Sequence, residues 1–88
     1  MAQMRGNAKQ ILKLDGLNIL PEGTRIFIRD AFLFGDIRQR MCRIIGWNID
    51  MEASQWLGTP ELEYRVTLPN GLICWVSASL VEGYILGV

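Results

Sequence analysis

The most regular pattern in this chain spans residues 61–68, where Leu62, Tyr64, Val66 and Leu68 alternate with Glu63, Arg65 and Thr67. A period of two marks a strand with one buried and one solvated face, because successive side chains point to opposite sides of the pleat. Residues 24–29 repeat it on a smaller scale, with Ile26 and Ile28 on the core side and Arg25, Phe27 and Arg29 on the other. Pro21-Glu22-Gly23 opens that strand with a turn signal. Residues 42–49 (CRIIGWNI) read as another strand, with Gly46 at a bend or at a close backbone approach. Two loops separate the three strands, 30–41 and 50–60, the second closed by Gly58 and Pro60.

Pro69-Asn70-Gly71 predicts a tight hairpin turn with positive φ at Asn70, Gly71 or both, and residues 72–76 return as the partner strand. Two registers are open. A loop of all three residues pairs Leu68 with Leu72, Val66 with Cys74 and Arg65 with Trp75; Leu72, Cys74 and Val76 then face the core, and Ile73 and Trp75 face outward. A two-residue turn with Pro69 opposite Leu72 inverts every side chain and buries Trp75. The first register is expected, because it buries Cys74. Ser79 and Glu82 have capping-box spacing around a single helical turn, of the 3₁₀ kind in such short pieces, which Gly83 ends before a last strand over 84–86.

The order is thus strand, long loop, strand, loop, strand, hairpin, strand, helical turn, strand. It resembles the SH3-like small barrel over residues 22–86, and residues 75–81 (Trp-Val-Ser-Ala-Ser-Leu-Val) are similar to the aromatic-to-helical-turn passage such barrels often carry before the final strand. The resemblance implies a mostly β chain, a single five-stranded SH3-like barrel with one short helical turn before the last strand. Residues 21–88 would form the barrel, and residues 1–20 an N-terminal arm and short packing segment. Within the latter, 1–10 are polar, while 11–20 fit neither period and are interrupted by Gly16, so they read as a short strand or one helical turn over a barrel mouth. This fold hosts peptide binders, nucleic-acid binders, oligomerisation domains and a few enzymes, so it does not decide function.

Composition narrows the field. A chain of 88 residues is one domain with a thin core, for which self-association would be a help. Nine basic residues balance nine acidic ones, so a nucleic-acid, anionic-membrane or acidic partner needs a local patch rather than net charge. The longest apolar runs, 32–34 and 72–76, fall far short of the roughly 20 residues of a membrane span. Met1 to Gln10 is polar with no long apolar segment after it, so no signal peptide is read and a cytoplasmic location is expected. Histidine is absent and the two cysteines, Cys42 and Cys74, sit in apolar stretches, which excludes the usual four-ligand zinc spacing. They are read as small buried hydrophobes, a disulfide requiring adjacent strands and an oxidising compartment. Neither a metal nor a cofactor is expected.

Without histidine, the nucleophile candidates Ser77, Ser79, Thr67 and the cysteines have no general base at a recognisable spacing. Ser77 and Ser79 are better suited to capping the helical turn, Glu61 and Glu63 to a solvated strand face. The glycines form no nucleotide-binding pattern. One enzyme resemblance stands beside this. Residues 42–47, Cys-Arg-Ile-Ile-Gly-Trp, are similar to the Gly-Gln-Ile-Val-Gly-Trp strand of the plasmid-borne type II dihydrofolate reductases, and residues 72–80 to that family's Val-Gln-Ile-Tyr-Pro-Val-Ala-Ala-Leu. In that family four barrels surround a pore lined by the Gln and Tyr of the second motif and by a lysine. Here Ile73 and Trp75 occupy the two motif positions and no lysine follows Lys13, so the resemblance implies the architecture more than the reductase activity.

Two surfaces attract attention. Arg38, Arg40 and Arg43 form the densest basic cluster, with Phe32, Phe34 and Trp47 nearby, a composition that would bind a single nucleic-acid strand by stacking and charge, although Asp30 and Asp36 dilute it. Phe32 and Phe34 themselves either mark an interface or tuck under their loop. Trp75 and Ile73, outward beside Arg65, have the make-up of a hot spot, with the guanidinium stacked on the indole. The function expected is a small non-catalytic binding or oligomerisation module acting through an aromatic and arginine-rich face, with a protein partner or a second copy as its ligand. A nucleic-acid-binding barrel and a type II dihydrofolate reductase-like enzyme are the alternatives.

Overall fold

The structure, a computed structural model, describes residues 10–14, 16–29 and 41–86. It is mostly β. A small hairpin pairs β1 (Leu12–Leu14) with β2 (Leu17–Ile19), and five further strands form one antiparallel sheet. These are β3 (Arg25–Ile28), β4 (Met41–Ile49), β5 (Leu62–Thr67), β6 (Ile73–Ser77) and β7 (Val81–Ile85), in the order β6-β5-β4-β3-β7. The sheet therefore has two edges, β6 and β7, joined in sequence by a 3₁₀ turn (Ala78–Leu80) and not by a ladder.

The alternation read from the sequence sets the core. Ile26, Ile28, Ile44 and Val66 are fully buried, and Tyr64, Cys42, Leu62, Leu68 and Val76 nearly so. The segment read as one strand or one helical turn instead holds the antiparallel pair β1 and β2, and the exit of β2 supplies Ile19 and Leu20 to the same core. The Tyr64 hydroxyl accepts a hydrogen bond from the Leu20 N–H at 3.0 Å and so ties that hairpin to the sheet.

The turn at 69–71 follows the three-residue register. Gly71 N–H donates to the Leu68 carbonyl at 2.9 Å and Leu68 N–H to the Leu72 carbonyl at 2.8 Å. Gly71 has φ 91°, the left-handed conformation that lets a type I turn feed a right-twisted hairpin. Val66 consequently faces Cys74, and Arg65 faces Trp75. One element of that expectation is corrected: Leu72 is not in the core but 62% exposed, because it lies where the strand leaves the turn.

Other corrections concern places where tertiary context or a cap overrides the pattern. Residues 50–60 are not wholly a loop but hold α1 (Met51–Leu57). Asp50 caps it by accepting from Ala53 N–H at 3.0 Å, and Gly58, at φ 72°, ends it. The cap of the 3₁₀ turn is Ser77, which accepts from Ser79 N–H, rather than Ser79 with Glu82. Gly83 lies inside β7 and does not precede it. In β4 the register slips between Ile44 and Gly46, so Ile45 is an extra residue and every side chain after it changes face. Asn48 thereby joins the outer face, where its amide donates to Glu63 Oε1 at 3.0 Å.

Candidate functional site

The outer face of the sheet can be laid out from the ladder, since directly paired residues project to the same side. One row crosses all five strands: Ile85, Arg25, Arg43, Thr67, Ile73. The next holds Gly46, Arg65 and Trp75, and the one beyond it Asn48, Glu63 and Ser77. Arg43, Arg65, Ile73 and Trp75, four of the residues singled out in the sequence, thus share one patch, with Ile73 and Trp75 about half exposed. Trp47 does not join them. The bulge at Ile45 pairs it with Tyr64, on the opposite face, where it is 39% exposed. Phe32, Phe34, Arg38 and Arg40 lie outside the described residues.

Two contributors, and one exposed aromatic on α1, escaped the sequence reading. Leu72, on the core side of the ladder opposite Leu68, is nevertheless exposed and adds an apolar side chain at the β6 edge. Arg25 joins the patch because β3 pairs with β4, a contact between segments distant in sequence that no local signal encodes. Trp56, on α1, is 86% exposed, the most open large apolar side chain among those described, and it projects from a helix that buries none of its residues.

The edge of β6 gives the patch its direction. Because Leu72 offers its carbonyl to β5, alternate residues along the strand do likewise, and the N–H and C=O of Ile73 and Trp75 point away from the sheet. The strand Ile-Cys-Trp-Val-Ser has no charge, proline or glycine. Among the described residues its sole neighbour is β5. Polarity is graded along the strand: Arg25 and Arg43 lie on the row of Ile73, whereas Glu63 lies on the row of Ser77 and, with Asp50 and Glu61, lines a groove of about 250 Å³ beside Trp75.

Ser77 Oγ lies 2.8 Å from Ser79 Oγ and serves the cap. Burial, with the nearby Cys74 as a second cause, pushes the Cys42 thiol from 9.0 up to about 11, and burial raises Cys74 too, so both are poor nucleophiles at neutral pH. Both cysteines are free thiols. A second cavity of about 420 Å³, between the β1–β2 hairpin and β7, is lined by Asn18, Tyr64, Glu82 and Tyr84 among others. Among the described residues there is no cluster of three potential metal ligands, and no helix is long and apolar enough to cross a membrane. No known protein family, curated protein or solved structure matches this chain.

Proposed function

We propose that this chain is a small non-catalytic module that associates with a second copy of itself through the β6 edge and the Trp75 face. The carrying observation is the uncharged edge strand whose Leu72, Ile73 and Trp75 are 62%, 52% and 50% exposed. Natural sheets blunt an exposed edge with charge, proline or a bulge, and β6 uses none of these, so its free backbone groups are a template for another strand. Antiparallel pairing about a two-fold axis at Cys74 sets Ile73 against the partner's Trp75 and Leu72 against the partner's Val76. Aromatic and β-branched pairs of this kind are the favourable cross-strand combinations.

The reading extends to the fold. The sheet is taken as an SH3-like small barrel left open between β6 and β7. The strand order β6-β5-β4-β3-β7 and the 3₁₀ turn between β6 and β7 support this. An open seam leaves β6 available, and a thin core of this size gains from a second copy.

The test is light scattering over a range of concentrations, with amide exchange on the same samples. The wild-type protein is expected to dimerise, with the amides of Ile73 and Trp75 slowing as concentration rises and Ser77 unaffected. Trp75→Ala should weaken association while changing stability by less than about 1 kcal/mol, as surface changes usually do. A monomer at all concentrations, or a Trp75→Ala protein that loses stability with association unchanged, would overturn the reading. Protection reaching Ser77 would move the axis to Trp75 and refute the register.

A further inference from the structure

Arg25 and Arg43 are direct partners across the β3–β4 ladder. Ile44 N–H donates to the Thr24 carbonyl at 2.9 Å, so the neighbouring pair is of the type that forms no mutual hydrogen bond and brings its side chains closest, with Cα atoms about 4.5 Å apart. Like charges placed directly opposite each other oppose pairing of the strands. Lysines in this position would relieve the repulsion by losing a proton, but guanidinium groups do not. Among the described residues neither arginine has a carboxylate partner, and both are exposed. Thr67, the partner of Arg43 on the next strand, adds a hydroxyl on the same face. These side chains line a cavity of about 360 Å³ together with Met41, Cys42, Leu68 and Pro69.

We infer that Arg25, Arg43 and Thr67 form a binding site for a phosphate monoester. A dianion with three terminal oxygens cancels the charge of two guanidinium groups, accepts a paired hydrogen bond from each and a further one from the threonine hydroxyl. A phosphodiester carries a single charge per group and leaves one arginine uncompensated. The site is independent of the β6 edge, whose backbone groups it does not use.

Thermal melts in inorganic phosphate, against chloride at matched ionic strength, test it directly. Stability is expected to rise with the logarithm of phosphate concentration. Arg43→Ala and Arg25→Ala should each weaken phosphate binding by about tenfold or more. In phosphate-free buffer these two proteins should melt no lower than wild type, because the repulsion is relieved, whereas an arginine with a purely structural role would cost stability. Arg43→Lys should not restore binding, since the ammonium lacks the planar fork. Phosphoserine and an unphosphorylated oligothymidylate form the two further arms. Binding of phosphoserine supports the site. An equal response to chloride, retention of the phosphate response in both alanine variants, or binding of the phosphodiester strand without inorganic phosphate overturns it.

Discussion

Thr24 is fully buried and its hydroxyl is the buried side-chain group without a hydrogen-bond partner among the described residues, although its backbone is engaged on both sides. An unsatisfied buried hydroxyl costs about 1–3 kcal/mol, and valine has nearly the same shape without it. Thr24→Val is expected to raise the urea midpoint, by about 1 kcal/mol in stability, and a lower midpoint would mean that the hydroxyl is satisfied in solution. Gly71 is the opposite case, since φ 91° is strained for any β-branched residue. Gly71→Val should cost about 1 kcal/mol or more. Cys42 gives a pH signature. Its folded-state value of about 11 lies above the ordinary thiol value of 9.0, so the unfolded chain releases this proton first. Stability is therefore intact below about pH 9 and falls as pH rises, with about 2 kcal/mol lost by pH 11. Burial raises Cys74 and Tyr64 as well, which adds loss of the same sign. Urea unfolding at about pH 8 and pH 10.5 checks it, with Cys42→Ala expected to flatten the difference.

At the scale of elements, legibility followed the strength of the period. β5 could be read because four inward apolar residues alternate without a break, and the hairpin because Asn-Gly carries its own backbone requirement. From those two the pairing of Arg65 with Trp75 followed. β4 was found, but its face after Ile45 was not, since a bulge inserts one residue and a sequence that is apolar on both sides of it conceals the slip. That slip separates Trp47 from the face of Arg43. The helix α1 was missed because it buries nothing, so no apolar stripe announces it; Asp50 and Gly58 bracket seven residues as caps, and those were the signals available. A helix of two turns with no buried face depends on its ends. Asp50→Ala should therefore cost about 1 kcal/mol and lower the helical circular dichroism. Trp56→Ser should change stability by less than about 0.5 kcal/mol. If Trp56→Ser unfolds the protein, the helix packs where the structure leaves it open.

For the whole molecule, balanced charge separates the two kinds of association. The β6 edge is uncharged, and pairing it with a second copy places Arg65 of one chain well beyond a Debye length, roughly 8 Å at physiological salt, from that of the other. Dimerisation should accordingly change less than threefold between about 50 and 500 mM salt, while a strand of nucleic acid bound by the arginines would lose affinity steeply over the same range. Analytical ultracentrifugation at the two salt concentrations distinguishes them. A strongly salt-sensitive assembly would argue that charge, not the edge strand, holds it.

The two margins of the sheet are not alike. Where β6 is bare, β7 carries Glu82 and Gly83, and its ladder with β3 slips between Phe27 and Ile28. On the proposed pairing a subunit would have one reactive end and one blunted end, so growth would stop at two copies, whereas two reactive ends would propagate into a filament. Its solubility at high concentration would then depend less on how strongly β6 binds than on how reliably β7 refuses to.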